Sequence, residues 1–227
     1  MELFGRFVIK GTCLIIKNSA TAVVSDLHLG FSDYLNERGI LSYFDESKGL
    51  KWLLSACEEN GIKRLILNGD ILHDFSKLRQ RVEKRLDWLI SSLDEKGIKC
   101  DLVEGNHDNL LRFFLDKRGI KAKKKILAGD VFITHGDKLF RVPEKAKYIV
   151  IGHEHPAVEV EEKRFKAYLV SEYEKRHLIV MPSFFGFREG SENKGNPEKP
   201  WSPFIKGRIK KRIIVEKAGS EHIAVPF

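Results

Sequence analysis

The sequence predicts an α/β fold of the α+β kind, in which two mixed β-sheets pack face to face and helices flank them. In the first half of the chain, short apolar runs alternate with stretches of helical periodicity. In the second half, apolar runs follow one another with little helical pattern between them. The chain has 227 residues, of which 42% are hydrophobic, and this is enough for the core of a single domain covering residues 1–227.

The first half is predicted to alternate strands and helices. Apolar residues recur at helical spacing over 50–59 and 77–96, and each stretch ends beside a glycine, which is a common helix stop. A third, shorter helix is predicted at 110–115. Strands are predicted at residues 20–25, 64–67 and 98–103.

The second half is predicted to be mostly β. Its strands are expected at residues 131–134, 148–151, 165–170, 178–181 and 208–215. Two sheets packed face to face satisfy both halves of the chain. Residues 186–203, rich in Gly and Pro, are predicted to form a long loop, and such loops are typically functional or mobile.

Five short polar segments each follow an apolar run. They are DLH at 26–28, GD at 69–70, GNHD at 105–108, HG at 135–136 and GHEH at 152–155. Any one of them alone is more typical of a turn or a helix cap than of a site. All five in order along one chain indicate a shared site. The candidate metal ligands are Asp26, His28, Asp70, Asn106, His135, His153 and His155.

These residue types suit a two-metal hydrolase. Residues two apart in an extended segment point the same way, so Asp26 and His28 can bind one ion together. Asp70 can bridge two ions with its two oxygens, and Asn106 offers a neutral carbonyl oxygen. Glycines beside the ligands permit close backbone approach. Mixed Asp, Asn and His ligation suits two divalent ions of manganese, iron or zinc better than magnesium, and manganese is our first expectation.

Two residues of the GNHD segment are predicted to be catalytic. His107 reaches the same cavity without being needed as a ligand, and it is expected to act as a general acid. Asp108 is expected to orient the ring of His107 and to favour its protonated form. Glu154 lies between two candidate ligands and is expected to point away from the metals. His73 follows Asp70 closely, and it is as well explained as an ordinary loop residue as by a role in the site.

These motifs resemble those of the calcineurin-like metallophosphoesterase superfamily, whose pattern is D-x-H, G-D-x-x-x-D, G-N-H-D/E, H-x and G-H-x-H. The motifs span residues 26–155, and Asp74 supplies the second Asp of the G-D motif. The stretch DLHLGFSDYL at 26–35 is similar, more narrowly, to small archaeal phosphoesterases related to the Mre11/SbcD nucleases. It is also similar to bacterial phosphoesterases encoded beside DNA ligases.

The resemblance implies a four-layer αββα sandwich with two bound metals. It implies that Asp26, His28, Asp70 and His155 hold one ion, and that Asp70, Asn106, His135 and His153 hold the other. A hydroxide held by both ions would attack phosphorus while His107 protonates the leaving oxygen. Relatives that process DNA ends carry a further capping domain, and residues 157–227 are too few to provide one. Relatives of this kind also form homodimers.

The sequence leaves the substrate open. The first hypothesis is a phosphodiesterase acting on DNA, RNA or a nucleotide-like diester, which the net charge of +8 supports. The second is a small-molecule phosphomonoesterase or a cyclic-nucleotide phosphodiesterase, and the third is a non-catalytic scaffold of the same fold.

Two surface features bear on this choice. Basic clusters occur at 79–85, 121–125 and 206–212, although each also reads as a solvated face. Four aromatic residues are candidates for stacking on bases, with packing over the edge of the sandwich as the alternative: Phe184, Phe185, Phe187 and Trp201.

Composition points to the location of the protein. The three cysteines are widely spaced and indicate buried thiols in a reducing compartment rather than a disulfide framework. The sequence shows no signal-peptide pattern and no apolar run long enough to span a bilayer. We therefore expect a cytoplasmic protein without membrane association.

Overall fold

Two mixed β-sheets form the centre of the protein in a computed structural model, which describes residues 1–40, 45–73, 79–185, 200–215 and 224–225. The first sheet runs in chain order as β1 (Glu2–Leu3), β2 (Phe7–Lys10), β3 (Cys13–Ile16), β4 (Thr21–Ser25), β5 (Arg64–Asn68) and β6 (Lys99–Val103). Strands β1 to β4 pair antiparallel, whereas β4, β5 and β6 are parallel.

The second sheet comes from the second half of the chain. Its strands are β7 (Ile126–Ala128), β8 (Val131–Ile133), β9 (Tyr148–Ile151), β10 (Ala157–Val160), β11 (Lys163–Tyr173), β12 (Arg176–Val180), β13 (Lys211–Val215) and β14 (Ala224–Val225). Their spatial order is β14-β13-β11-β12-β9-β8-β7, with β10 beside β11. Strand β9 pairs parallel with both β8 and β12.

The core lies between the sheets and between the first sheet and its helices. Side chains alternate along each strand, so Val23 and Ile66 face the second sheet while Leu65 and Leu67 face the helices. Strands buried on both faces need apolar residues at consecutive positions. This explains why the sequence shows continuous apolar runs there.

Four α-helices occur in the described residues, all before the second sheet begins: α1 (Phe31–Asn36), α2 (Glu46–Glu59), α3 (Gln80–Glu95) and α4 (Leu111–Asp116). Asp45 caps α2 by accepting hydrogen bonds from the N–H groups of Ser47 and Lys48. The predicted helices at 50–59, 77–96 and 110–115 correspond to α2, α3 and α4. Residues 74–78, at the start of the second prediction, lie outside the described residues.

The prediction of two sheets flanked by helices is confirmed. Among the described residues the α-helices cover the first sheet only, so the second helical layer of the expected αββα arrangement is not among them, and irregular segments cover the outer face of the second sheet. Phe204 and Ile209, from one such segment, pack there against β9, β11 and β12. Strand β13 begins at Lys211 rather than at the predicted residue 208, and β11 is longer than predicted.

Short strands before residue 20 were not identified from the sequence. Strands β1, β2 and β3 contain two to four residues each, and Gly5 and Gly11 adopt positive φ in the turns between them. Elements of this length show too little periodicity to be recognised. They extend the first sheet and add Phe7 and Ile9 to the core between the sheets.

The three cysteines are free thiols; Cys13 and Cys57 are buried, as predicted, whereas Cys100 is half-buried. Burial raises the pKa of Cys57 to about 12. Within the described part of the chain, no helix is both long and apolar enough to cross a membrane. The predicted loop at 186–203 falls mostly on residues 186–199, which lie outside the described residues, as do Asp74 and Phe187.

Candidate metal centre

The five polar segments meet at one edge of the sandwich. Ser25, Asn68 and Val103 are paired in register at the carboxyl ends of β4, β5 and β6. In the second sheet, Ile133 and Val150 are paired near the carboxyl ends of the parallel strands β8 and β9. The loops that follow these strands therefore converge, as those of parallel strands do.

Acidic and imidazole side chains form two groups at this edge. Within each group the ligand atoms all lie within 4.8 Å of one another: Asp26, His28, Asp70 and His155 in the first group, and Asp70, His135 and His153 in the second. Asp70 belongs to both groups. Such clusters fit two neighbouring divalent ions that share one carboxylate.

Individual distances show how closely the groups approach. The Nε2 atoms of His28 and His155 are 3.2 Å apart, and the same atom of His155 is 3.1 Å from Oδ1 of Asp26. In the second group, Nε2 of His135 lies 3.4 Å from Oδ1 of Asp70 and 3.1 Å from Oδ1 of Asn106. The structure therefore brings Asn106 to the second group, where its amide oxygen can complete the ligand set.

The backbone is strained at these ligands. Five of them adopt positive φ, a conformation that residues other than glycine rarely take: Asp26, His28, Asp70, His153 and His155. Strain of this kind concentrates at functional sites, because the surrounding structure must stabilise it.

Two glycines make room for the ligands. A Cβ atom at Gly152 would collide with the side chains of Ser25 and Asp26, and one at Gly105 would collide with Asp70. Glycine is therefore required at these positions by close approach.

Hydrogen bonds across the sandwich connect the two sheets at the site. Both carboxylate oxygens of Asp26 accept from the N–H of His153, at 3.1 Å each. The buried amide of Asn68 donates to the carbonyl oxygen of Thr134 at 3.0 Å. The first-sheet loops and the second-sheet loops thus hold each other in place.

Electrostatics prepare several ligands to bind a cation. Burial and the neighbouring His155 lower the pKa of His28 to about 3. Burial and His135 also lower the pKa of His153. Burial alone would raise the pKa of Asp26, but His155, His135 and His28 together hold it below its usual range. At neutral pH these two imidazoles are therefore neutral and this carboxylate is ionised, which are the forms that bind metals.

His135 differs from the other histidines. Burial opposes its charged form, but the hydrogen bond to Asp70 and the charges of Asp26 and Asp70 raise the pKa of His135 to about 9. A cation bound by these carboxylates would take the place of that proton.

His107 lies beside the shared carboxylate. Its backbone N–H donates to Oδ1 of Asp70 at 2.9 Å, and its Nε2 is 3.8 Å from Oδ2 of the same residue. Its ring also packs edge-on against His28, with centroids 5.1 Å apart. This placement suits a group that exchanges a proton with a bound substrate.

Asp108 has a different environment from the one predicted. Its carboxylate accepts hydrogen bonds from the N–H groups of Ile71, Leu72 and Gly105 at 2.8–3.0 Å, which joins the loops after β5 and β6. Burial and the nearby Asp70 raise the pKa of Asp108 to about 7. Among the described residues its oxygens thus contact backbone amides rather than the ring of His107, so its geometry supports a positioning role.

Glu46 is a supporting residue that sequence reasoning missed. This buried carboxylate accepts from the N–H groups of Gly30 and Ser32 and from the guanidinium of Arg85, at 2.9–3.2 Å. It thereby holds the chain just after His28. In the sequence, Glu46 looks like an ordinary acidic residue in the first turn of a helix, so no local signal marks it.

Glu154 lies outside both ligand groups and has a partner of its own. Its carboxylate accepts a hydrogen bond from the N–H of Ser202, whose hydroxyl donates to the carbonyl oxygen of Gly136 at 2.6 Å. The segment that begins at residue 200 is thus attached beside both His135 and His153.

The aromatic candidates separate into two classes. Phe184 and Phe185 are buried in the core between the first sheet and its helices, so the packing alternative is correct for them. Trp201 is 48% exposed, and its ring centroid is 6.2 Å from that of His153. His73 is more than a loop residue, because its ring packs against His28 and Phe31.

At least four of the thirteen Lys and Arg residues in the basic clusters take part in ion pairs. The pairs are Arg79 with Glu37, Arg85 with Asp33 and Glu46, Lys123 with Asp101, and Lys210 with Glu172. Arg81, Lys84, Lys124 and Lys125 are exposed. Part of the positive charge in these clusters is therefore locally neutralised.

No significant match is found among curated proteins. Among solved structures, the fold is similar to that of the Pseudomonas putida nuclease MPE, with a TM-score of 0.67 and 16% identity over 99% of this chain and 98% of that one. The phosphoesterase Yfce from E. coli has a TM-score of 0.44 and 17% identity over 86% of this chain and 87% of that one, a likeness too weak to support an argument. The model of the calcineurin-like phosphoesterase family matches residues 20–154. Because this match spans more than half of the chain and includes six of the seven candidate ligands, the protein belongs to the calcineurin-like phosphoesterase family and is a hydrolase acting on phosphoester bonds.

Proposed function

We propose that the protein is a two-metal phosphodiesterase whose substrates are nucleic acids or nucleotide-like diesters. The observation that carries this proposal is the pair of ligand groups that share Asp70, with His107 beside the shared carboxylate. Two-metal hydrolases of phosphate esters need such a shared ligand and a proton donor next to it.

The donor set fits two divalent ions. Asp26, His28, Asp70 and His155 would hold one ion, and Asp70, Asn106, His135 and His153 would hold the other. Nitrogen and oxygen donors that face one another at 3.1–3.4 Å are an arrangement that a cation between them stabilises. Manganese is our first choice, with iron and zinc as alternatives. When bound, the ions would supply an activated water and would offset the charge of the phosphate.

The chain's own residues would orient the substrate and supply the proton. His107 would donate from Nε2 to the leaving oxygen, and Asp70 holds its backbone in place. A general acid of this kind contributes about 10²- to 10⁴-fold to the rate. Asp108 would act indirectly, by holding the loops that carry Asp70 and His107.

The preference for a diester rests on the fold and on the charge of the chain. The fold is similar to that of a protein named as a nuclease, which supports a nucleic-acid diester as the substrate. The net charge of +8 also favours a polyanionic substrate over a small phosphate monoester.

A second candidate is a phosphodiesterase for small nucleotides, such as cyclic nucleotides. The ion pairs within the basic clusters support it, because they neutralise part of the charge that would attract a long polyanion. A homodimer and a cytoplasmic location are further predictions, which light scattering and cell fractionation would test.

The decisive experiment measures hydrolysis by the Mn²⁺-loaded protein. The substrates are bis-p-nitrophenyl phosphate, p-nitrophenyl phosphate, a cyclic nucleotide, and labelled single- and double-stranded DNA and RNA, each at two salt concentrations. We expect turnover of diesters and a steep loss with salt only for nucleic acid. His107→Asn should keep both metals and lose most turnover. Equal or faster hydrolysis of the monoester would contradict the proposal, and bound metal without any turnover would favour a scaffold.

A further inference from the structure

Trp201 is a large aromatic side chain exposed beside the metal centre. It is 48% exposed, and its ring lies 6.2 Å from the ring of His153. An exposed aromatic residue alone is ordinary on protein surfaces. The chain that follows Trp201, however, is attached to the loops of the site.

Ser202 attaches this segment to two ligand-bearing loops. Its N–H donates to Glu154, which follows His153 in the chain, and its hydroxyl donates to the carbonyl oxygen of Gly136 at 2.6 Å. Ser202 itself is 2% exposed. The backbone of Trp201 is therefore positioned by the same loops that carry three candidate ligands.

Apolar packing supports the segment from the other side. Phe204 is fully buried and Ile205 is 8% exposed, both against the outer face of the second sheet. Because its neighbours on the C-terminal side are anchored, the indole can receive a planar ligand without first having to be ordered. Such preorganisation increases affinity for a ligand that fits.

Trp201 and His107 lie on different halves of the centre. The ring of His107 packs against His28 in the first ligand group, whereas Trp201 packs against His153 in the second. The leaving oxygen of a diester must lie near the proton donor. The group retained on phosphorus can then extend toward the other half, where Trp201 is exposed.

We propose that Trp201 is a substrate-binding residue on which the base of the retained nucleoside stacks, so that the substrates are nucleoside phosphodiesters with an unpaired base. This inference rests on the proposed phosphodiesterase function and specifies its substrate class. Base stacking on an aromatic side chain tolerates any base, so we expect little sequence preference.

The test compares two chromogenic diesters that share one leaving group. Thymidine 5′-(p-nitrophenyl phosphate) retains a nucleoside, and methyl p-nitrophenyl phosphate retains only a methyl group. We expect the wild-type Mn²⁺-loaded protein to prefer the nucleoside ester. Trp201→Leu should lower kcat/KM for that ester about tenfold and leave the methyl ester unchanged. Trp201→Phe should retain most of the preference.

Trp88→Leu is the matched control, because Trp88 is also an exposed tryptophan, at 38%, and lies on α3. Trp88→Leu should change neither the kcat/KM for the nucleoside ester nor that for the methyl ester. No preference in the wild type, or a preference that survives Trp201→Leu, would overturn the inference and leave the phosphodiesterase proposal intact.

Fluorescence provides a test that does not depend on turnover. The chain has three tryptophans, so a Trp52→Phe/Trp88→Phe variant reports on Trp201 alone. We expect thymidine 5′-monophosphate to quench this signal with saturation and deoxyribose 5-phosphate to leave it unchanged. If neither ester is hydrolysed, the phosphodiesterase proposal fails and this binding assay decides the role of Trp201. Equal responses to both ligands would overturn that role.

Discussion

The two sheets supply different parts of the metal centre and support them differently. The first sheet provides both carboxylates and the amide, in Asp26, Asp70 and Asn106, together with His28. Buried side chains hold its loops: Glu46 on the chain after His28, and Asp108 on the chain after Asp70.

The second sheet provides imidazoles only, from His135, His153 and His155. The positive φ of two of them, at His153 and His155, is held by close packing against the first sheet. The N–H of His153 donates to Asp26, and Gly152 lies against Ser25 and Asp26. The comparison shows that the first half of the centre is organised by its own buried polar groups, whereas the second depends on docking of the two sheets.

The largest expected effect is at the ligand that both groups share. Asp70→Asn should abolish tight binding of both ions, because the amide lacks the charge that a bridging ligand provides. Turnover should fall about 10³-fold or more, since each ion contributes several kcal/mol. Metal analysis after gel filtration, together with diester turnover, measures both effects.

His153→Ala is the companion variant, because His153 belongs to the second group only. It should leave one ion of two. Retention of two ions by Asp70→Asn would show that this carboxylate does not bridge the groups.

The next effect tests the docking of the sheets. Gly152→Ala places a Cβ atom against Ser25 and Asp26, so the loop of the second sheet must move. We expect a loss of about 2–3 kcal/mol in the free energy of unfolding and weaker metal binding. Urea denaturation of the metal-free protein measures the stability.

Gly207→Ala serves as its control. The nearest atom to its added Cβ would be the carbonyl oxygen of Glu172 at 3.6 Å, which is ordinary contact. Its stability should change by less than about 1 kcal/mol. Equal effects of the two substitutions would argue against close packing at Gly152.

Substitutions at two buried glutamates, Glu46 and Glu154, test whether buried charge matters more for the half of the centre on the first sheet than for the half on the second. Glu46→Gln removes the charge that faces Arg85 and weakens the bonds from Gly30 and Ser32, so we expect a loss of about 2 kcal/mol in stability. Glu154→Gln keeps an oxygen for the N–H of Ser202 and should cost less than about 1 kcal/mol.

The smaller stability loss expected for Glu154→Gln has an electrostatic cause as well as a geometric one. Burial raises the pKa of Glu154, so its charged form is already disfavoured and a neutral side chain is tolerated. Chemical denaturation at constant pH compares the two variants. If Glu154→Gln lowered the free energy of unfolding more than Glu46→Gln, the half of the centre on the second sheet would be the one that depends on buried charge.

The smallest effect concerns an ion pair that supports the first sheet away from the metal ligands. Asp101 is bonded to Arg64 at 2.7 Å and to Lys123 at 2.6 Å. Burial acts in the opposite direction, but these two cations hold the pKa of Asp101 below its usual value. Asp101→Asn should therefore cost about 1 kcal/mol at neutral pH.

The pH dependence follows from the direction of that shift. A carboxyl group with a lowered pKa in the folded state stabilises the protein above its unfolded pKa of about 4, and this contribution disappears as the pH falls through the folded value. The difference in stability between wild type and Asp101→Asn should thus shrink on acidification. A difference that stays constant down to low pH would show that Asp101 stabilises through shape rather than charge.

Much of the site could be predicted because its residues are local in the sequence. Each polar segment follows a strand, and its residue types show which side chains are available at the end of that strand. The pairing of strands could not be predicted in the same way: β1, β2 and β3 are too short to show a period, and β12 lies beside β9 rather than beside β13. The contacts of Asp108 could not be predicted either, because its neighbours in the chain do not show that its oxygens meet Ile71 and Leu72.

By itself, the sequence determined the kinds of atoms available to bind metal, the strand ends that carry them and the division of the chain into a β/α half and a β half. These properties depend on neighbouring residues and on short periods. Only the tertiary structure decided that His28 meets His155, that Glu46 supports the chain after His28, and that Trp201 lies against His153. The first of these contacts joins residues 127 positions apart, and no local pattern encodes it. It exists because the hydrophobic effect packs two sheets together and brings their loops to one edge.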